Sequence, residues 1–278
     1  MYELVKDDSE LKWFFDHVIE TPKDGESYLF AVACRSKKLT AEDKTELGIT
    51  GKKDMLRTEV VHPHNDMWNY SIWSEGAYKF NCDERGMSSK TGKAFPVKSL
   101  VCYAYVNPSD ELDCIDDTIE YASKMKTELL HSYKKESKDG VIDHLGKLGK
   151  VLSHLKSCHA CHLSRRIWRD FDFDLTDIGK TRREDIEPII CSAMRKYYGL
   201  KNFVLVKTSG GYHCLFRVSS IKGNPYDCVN EIKGAFEDSD AFFTEVKMTE
   251  AGSQFIPCPG TLQYGNLVTV INKEDFEC

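Results

Sequence analysis

The chain has 278 residues and a formal net charge of −6 at neutral pH. This length fits one large domain or two modest ones. A hydrophobic fraction of 41% with 29% charged residues is ordinary for a globular protein. The negative charge argues against a protein that coats nucleic acid over its whole surface, but it permits a local basic patch.

The sequence contains no long apolar run, and its first residues lack the basic and apolar regions of a signal peptide. We therefore expect a cytoplasmic protein that does not bind a membrane. Its 11 cysteines are an odd number. Without a secretion signal, this count argues for reduced thiols.

Helices and strands are both predicted in the first part of the chain. Hydrophobic periodicity and capping residues predict helices at residues 10–19, 40–48, 110–137 and 141–157. Strands are predicted at 28–34 and within 96–106, and an irregular aromatic-rich region at 57–95. These elements predict an N-terminal α/β module with long helices at residues 1–157.

A more regular pattern follows. Strands are predicted at 167–175, 203–207, 212–218 and 242–247, and helices at 184–198 and 225–236. The order β-α-β-β-α-β is that of the ferredoxin-like or RRM-like unit. In this unit the first and third strands are central neighbours, the fourth lies beside the first, and both helices cover one face. We therefore predict an α+β protein with an RRM-like core at 158–278, against which the N-terminal module packs.

Three acids alternate with aromatic residues on the first strand of this unit. Residues two apart in a strand share a face, so Asp170, Asp172 and Asp174 project to one side. Phe171 and Phe173 project to the helix-covered side. Clustered carboxylates repel each other, and a hard divalent cation with oxygen ligands, such as Mg²⁺ or Mn²⁺, relieves that repulsion. The alternative is an edge strand with a solvated acidic face.

Polar side chains on the neighbouring strands are predicted to reach the same face. Because side chains alternate between the two faces of a strand, His213 and Arg217 of the third strand are predicted on the face of the acids. Glu245 and Lys247 of the fourth strand are predicted there as well. Three separate pieces of sequence thus bring acids, a histidine and basic groups to one surface. Acids that hold divalent cations beside basic groups suit phosphoryl or nucleotidyl transfer.

The turn between the second and third strands fits the phosphate side of such a reaction. Gly210 and Gly211 let backbone N–H groups approach an anion, while Ser209, His213 and the preceding Lys207 supply directed donors. The alternative is a simple Gly-Gly hairpin with a packed histidine.

These residues carry a resemblance to a known family. Three segments resemble the three motifs of archaeo-eukaryotic primases and primase-polymerases, namely Asp172-Phe173-Asp174, Ser209-Gly210-Gly211-Tyr212-His213, and Thr244-Glu245-Val246-Lys247 with Pro259-Gly260-Thr261. The resemblance implies that Asp172, Asp174 and Glu245 bind catalytic metal ions. Asp170 is the alternative first acid, because the repeated spacing leaves the register open. It also implies that Ser209 and His213 bind the phosphates of the incoming nucleotide.

The resemblance is best over residues 165–270, and residues 29–57 resemble the N-terminal module of stand-alone phage and plasmid members. It implies template-directed addition of NTPs or dNTPs on single-stranded DNA. No helicase-type phosphate loop occurs, so a replicative helicase is expected as a separate partner. The family often has an arginine two residues before its Pro-Gly-Ser/Thr, where this chain has Pro257. Lys247, Arg217 or Lys207 would have to take that role.

A second cluster of metal-binding residue types precedes the acidic strand. His154, Cys158, Cys161 and either His159 or His162 have a spacing that can supply four ligands to a structural zinc ion. The alternative is a pair of thiols at a helix end with no metal. The same residues spell a C-x-x-C-H haem-attachment motif, but covalent haem requires an exported chain.

Two other functions are compatible with the sequence. RRM-like sheets often bind single strands without catalysis, which would make the chain a nucleic-acid-binding module. A rolling-circle nicking endonuclease would use His62 and His64 as metal ligands, but Pro63 between them is unfavourable in a strand.

Overall fold

The structure is a computed structural model of the chain. It describes residues 4–49, 51, 53–61, 93–133, 150–151, 154–155, 157–159, 161–249 and 255–277. Most of the predicted irregular region at 57–95, residues 141–149 of the predicted helix at 141–157, and both His62 and His64 lie outside these ranges. In the described part of the chain, no helix is both long and apolar enough to cross a membrane.

The fold is mixed α+β with antiparallel sheets. The N-terminal elements are α1 (Asp8–Val18), β1 (Glu26–Arg35), α2 (Ala41–Leu47), β2 (Lys53–Val61), β3 (Leu100–Tyr105), β4 (Ser109–Asp110) and α3 (Glu111–Tyr133). The next elements are β5 (Trp168–Leu175), α4 (Asp177–Thr181), α5 (Arg183–Tyr198), β6 (Phe203–Lys207), β7 (Gly211–Arg217), α6 (Tyr226–Gly234) and β8 (Phe243–Thr249). The chain continues through β9 (Phe255–Pro257), β10 (Leu262–Gln263), β11 (Asn266–Leu267), β12 (Thr269–Val270) and α7 (Glu274–Glu277).

Capping side chains define where the first two helices begin. Asp7 caps α1 by accepting a hydrogen bond from the backbone N–H of Glu10. Thr40 and Asp43 form a reciprocal capping box at the start of α2. Both arrangements satisfy N–H groups that a helix leaves without an internal partner.

One five-stranded sheet, which we call the N-terminal sheet, has the order β2-β1-β3-β9, with β4 paired to the start of β1. The other, which we call the acidic sheet, has the order β12-β6-β7-β5-β8. In both sheets, every pair of neighbouring strands is antiparallel. Strand β5 lies between β7 and β8, which are the neighbours expected for it from the sequence.

The two faces of β5 have different surroundings. Phe171 and Phe173 are fully buried in a core that contains Ile186 and Ile190 of α5 and Ile232 of α6. This is the helix-covered side predicted from the alternation. The apolar residues thus hold the strand in place, and the acids face away from the helices.

The opposite face of the acidic sheet is not fully open, in contrast to the expectation from an isolated unit. Trp168 and Leu215 on this face belong to a second core, which includes Phe14 of α1 and Phe30 of β1. The indole Nε1 of Trp168 also donates to the carbonyl oxygen of Val18 at 2.9 Å. The N-terminal elements therefore cover one end of this face.

Residues on both sides of the predicted boundary at 157/158 share this second core. Strand β9 comes late in the chain but pairs with β3, with Ile256 opposite Ala104. The backbone N–H of Val270 in β12 donates to the Glu10 carboxylate in α1. The division into two domains stays a prediction. Contacts of β9 with β3 and of β12 with α1 nevertheless join the C-terminal segment to the N-terminal one.

Candidate functional site

A cavity of about 280 Å³ is lined by residues of both sheets. Its walls combine the carboxylates of β5 with cationic and aromatic side chains. The cationic residues among its lining are Arg35, Lys37, His213 and Lys247. The aromatic residues among its lining are Tyr103, Phe255 and Tyr264.

The three acids of β5 line the cavity, but they differ in exposure. Asp170 is 1% exposed, whereas Asp172 and Asp174 are only partly buried. Oδ2 of Asp170 lies 2.9 Å from His213 Nδ1, and it accepts a hydrogen bond from Thr249 Oγ1 at 3.1 Å. Burial raises the pKa of Asp172, and the negative charges of Asp170 and Asp174 raise it further. A bound cation would offset this penalty.

His213 is brought to the acids by the register of the sheet, where it lies opposite Asp172. Its Nδ1 is 3.9 Å from Oδ1 of Asp172 as well as 2.9 Å from Asp170. Burial lowers the pKa of His213, but the charge of Asp170 and the hydrogen bond to it outweigh burial and raise the pKa to about 9. The raised pKa favours the protonated form of the imidazole at neutral pH.

The turn between β6 and β7 is braced from outside the cavity. The guanidinium Nη2 of Arg183 donates to the carbonyl oxygens of Thr208 at 2.9 Å and Ser209 at 3.2 Å. Ser209 is further bound through its N–H and its hydroxyl to Oε1 of Gln263. Thr208 and Gly210, rather than Ser209, are the turn residues that line the cavity.

The two glycines of this turn serve different purposes. A Cβ atom on Gly211 would lie 1.7 Å from the carbonyl oxygen of Phe173, because the two backbones meet there. A Cβ atom on Gly210 would lie 3.8 Å from Oδ1 of Asp174, which is an ordinary contact. Gly211 is thus required by the close approach of β7 to β5, and Gly210 faces the acids.

Arg35 and Lys37 are cavity residues that the sequence did not single out. Arg35 ends β1, and its Nη1 donates to the hydroxyl of Tyr103 in β3 at 2.9 Å. Lys37 Nζ lies 5.0 Å from the centroid of the Tyr264 ring. Burial and the neighbouring charge of Arg35 lower the pKa of Lys37. The sequence signal that could have indicated these two residues is the basic run at residues 35–38. This run lies within residues 29–57, which resemble the N-terminal module.

The aromatic wall consists of Tyr103, Phe255 and Tyr264. These three residues pack with Ala33 and Val101 in a small apolar cluster of their own. The rings of Tyr103 and Phe255 have centroids 5.6 Å apart at an interplanar angle of 62°. The cavity thus presents apolar ring surface close to charged groups.

Glu245 and Lys247 lie on the edge strand β8, next to the acids. In the register, Glu245 is opposite Asp174 and Lys247 is opposite Asp172. Lys247 Nζ donates to Oε2 of Glu245 at 2.9 Å, which raises the pKa of Lys247. Lys247 lines the cavity, whereas Glu245 lies outside the lining with a side chain 54% exposed.

Arg217 and Lys207 lie on the predicted strands, but both are engaged outside the cavity. Arg217 Nη1 donates to Oε1 of Glu20 at 2.6 Å, and its guanidinium lies 4.6 Å from the Trp168 ring centroid. Lys207 Nζ lies 2.8 Å from Oε1 of Glu187. Neither residue lines the cavity.

A second cluster can hold a metal ion. One ligand atom each from Asp117, His154 and Cys158 lies within 4.8 Å of the others. The predicted set is corrected in two respects. Cys161, which is exposed, does not belong to this cluster, and neither do His159 and His162. Asp117 of α3 belongs to it, although the sequence did not single it out.

Comparisons with models of protein families, with curated proteins and with solved structures found no match to this chain. What the chain does is therefore inferred from its own residues and their geometry.

Proposed function

We propose that the chain is a metal-dependent nucleotidyltransferase, a DNA primase or primase-polymerase that extends a hydroxyl on a single-stranded DNA template. The observation that carries this proposal is the cavity, in which the partly buried Asp172 and Asp174 face the cations Arg35 and Lys37. Carboxylates for divalent ions and cations for phosphates are the two requirements of this reaction.

The strand order supports an RRM-like core. Strands β5 to β8 with helices α5 and α6 follow the order β-α-β-β-α-β, and they lie in the sheet as β6-β7-β5-β8. This order supports the ferredoxin-like arrangement that we propose for the core. Strand β12 extends the sheet at its β6 edge.

Asp172 and Asp174 are the proposed ligands of Mg²⁺ or Mn²⁺. Their carboxylate oxygens suit a hard cation, and they are more accessible from the cavity than Asp170. Asp170 is proposed as a positioning residue, because its carboxylate is already bonded to His213 and Thr249. When bound, the ions lower the pKa of the attacking hydroxyl and stabilise the leaving oxygen.

Glu245 is the proposed third ligand, as the resemblance implies. It lies opposite Asp174 in the register, so its side chain is on the acidic face. To take this role, the carboxylate of Glu245 must give up its hydrogen bond with Lys247 and bind a divalent ion instead. Lys247 is then released to contact a phosphate.

The triphosphate is proposed to lie between His213 and the N-terminal cations. The imidazole of His213 donates to a phosphate oxygen, while Arg35 and Lys37, which also line the cavity, supply positive charge. Arg35 and Lys37 thereby take the basic role for which the family motif uses an arginine, at the position held here by Pro257. Lys207 and Arg217 are left out of this role because of their other partners.

The aromatic wall is proposed to contact a base. Tyr103, Phe255 and Tyr264 offer ring faces beside the charged part of the cavity, and base stacking on such rings tolerates any sequence. The same wall is the observation that favours the second candidate, a non-catalytic module that binds single strands. Exposed acids repel phosphates in the absence of metal, so the two candidates differ in their dependence on metal.

Binding of a fluorescent deoxynucleoside triphosphate in the presence and absence of Mn²⁺ tests the proposal. We expect binding by the wild-type chain that requires Mn²⁺ and is weakened in the Asp172→Asn variant. The control is Asp177→Asn, which alters a fully exposed carboxylate of α4. Single-strand binding without any metal-dependent triphosphate binding would favour the non-catalytic module.

A further inference from the structure

We infer that a structural zinc ion joins helix α3 to the segment at residues 154–162, with Asp117, His154, Cys158 and His162 as its four ligands. This site lies outside the cavity described above, and it does not depend on the function proposed for that cavity.

The ligand atoms converge on one carboxylate oxygen. Oδ2 of Asp117 lies 3.3 Å from Cys158 Sγ, 3.0 Å from His162 Nε2 and 3.6 Å from His154 Nε2. In a tetrahedral zinc site with bonds of about 2.0–2.3 Å, neighbouring ligand atoms are about 3.3–3.8 Å apart. Asp117, His154 and Cys158 already have ligand atoms within 4.8 Å of one another, whereas the ring of His162 lies outside that group and has to move closer to complete the site.

The buried nitrogen of His154 is the second observation. In the described part of the chain, Nε2 of His154 is buried and has no hydrogen-bond partner. Its distance of 3.6 Å to Asp117 is too long for a hydrogen bond. The ring is held in place by stacking on Tyr121, with centroids 4.0 Å apart and an interplanar angle of 12°. A metal ion would satisfy this nitrogen, which water does not reach.

The donor set selects the kind of ion. One thiolate, two imidazoles and one carboxylate are ligands typical of Zn²⁺, whereas Mg²⁺ and Ca²⁺ require oxygen ligands. Four protein ligands complete the tetrahedral coordination and leave no position for a substrate, so the ion is structural. Without an ion, Asp117 is bonded to Cys158 and His162 alone of these ligands, and His154 Nε2 has no partner among the described residues.

The position of the site suggests what the ion stabilises. Asp117 is 41 residues from Cys158 and 45 residues from His162 in sequence. The carbonyl oxygen of His162 accepts from the backbone N–H of Asp110, and that of His159 accepts from the Ser109 hydroxyl. The ion would thus fix the segment that leads into the acidic strand β5.

Metal analysis of the full-length chain, purified without chelator, provides the first test. We expect about one zinc ion per chain, which is the stoichiometry of a single four-ligand site. Replacement by Co²⁺ should give the intense visible absorption of a tetrahedral ion, together with a thiolate-to-cobalt charge-transfer band in the near ultraviolet. The acids of β5 cannot produce that band, because they contain no sulfur.

Variants identify the thiolate. Cys158→Ser should lose the charge-transfer band, whereas Cys161→Ser should keep it, because Cys161 is exposed and outside the cluster. Asp174→Ala should retain zinc. Absence of the cobalt band from the wild-type chain would overturn the inference, even if Cys158→Ser failed to fold. Persistence of the band in a folded Cys158→Ser variant would overturn it as well.

Discussion

Nδ1 of His213 lies 2.9 Å from Oδ2 of Asp170, a carboxylate that is 1% exposed. The pair connects two central strands of the acidic sheet, and Thr249 of β8 donates to the same oxygen. The buried acid therefore holds the imidazole of His213 at the cavity and favours its protonated form. This arrangement supports Asp172 and Asp174 as the metal ligands, with Asp170 as the group that positions His213.

The variant Asp170→Asn tests this division of roles. Loss of the negative charge should move the pKa of His213 down from about 9 towards its ordinary value, because Asp170 is the main group that raises it. A charge-assisted hydrogen bond contributes about 1.5–3 kcal/mol, so triphosphate affinity should fall about 10- to 100-fold. NMR titration of the metal-free protein gives the pKa, and an unchanged value would contradict the assignment.

Two arginines give opposite expectations. Arg35→Ala should weaken triphosphate binding about 10- to 100-fold, because a cation that lines the cavity is lost. Arg217→Gln should leave affinity unchanged per folded molecule, but it should lower the free energy of unfolding by about 1–3 kcal/mol through loss of its contacts with Glu20 and Trp168. Titration and denaturant unfolding measure the two effects. Loss of triphosphate affinity in Arg217→Gln but not in Arg35→Ala would contradict the placement of Arg35 in the cavity and of Arg217 outside it.

The adjacent glycines form a matched pair. Gly211→Ala should lower the free energy of unfolding by at least about 1–3 kcal/mol, because its Cβ would lie 1.7 Å from the Phe173 carbonyl oxygen. Gly210→Ala should leave the free energy of unfolding within about 0.5 kcal/mol, since its Cβ would meet only an ordinary contact with Asp174. Chemical denaturation of both variants checks the difference. Equal losses would show that β5 and β7 are not this close.

The acidic strand and its partners could be predicted because the signals are local. Alternation of Asp170, Asp172 and Asp174 with Phe171 and Phe173 follows directly from the period of a strand. The face of His213 follows from the same period once the strand order is assumed. Strand β8 extends to Thr249, beyond the predicted end at residue 247, and this extension supplies the second donor to Asp170.

Other parts of the site depend on packing between distant segments. Arg35 and Tyr103 lie on strands of another sheet, and no pattern near the acids indicates that they reach the cavity. The alternation of side chains along β7 places Arg217 on the same face as His213. It cannot reveal that Glu20 binds the guanidinium of Arg217. Asp117 is one of several acids on α3, so only the folded structure distinguishes it.

The contact between Arg165 and Glu26 predicts sensitivity to acid. Burial raises the pKa of Glu26, but hydrogen bonds from Arg165 and from the backbone of Lys23 outweigh burial and lower it. The stabilisation is therefore present above the ordinary pKa of 4.5 and is lost as pH falls through the lowered value in the folded state. Arg165 Nε donates to Oε1 of Glu26 at 2.9 Å.

The variant Arg165→Gln tests this contact. It should lower the free energy of unfolding by about 1–3 kcal/mol at neutral pH, and its difference from wild type should shrink as the pH is lowered to about 3. Denaturant unfolding over this pH range measures the difference. A difference that stays constant in acid would contradict the role of the carboxylate.

Nucleotide incorporation on primed and unprimed single-stranded DNA, with labelled NTPs or dNTPs and with Mn²⁺ or Mg²⁺, tests the central claim most directly. We predict product from the wild-type chain and from the control Asp177→Asn, and loss of product from Asp174→Ala with its stability unchanged or slightly increased, because one carboxylate of a like-charged cluster is removed. Product on unprimed DNA would identify a primase. Full activity of Asp174→Ala, or no product from folded wild-type protein under any of these conditions, would contradict the proposed function.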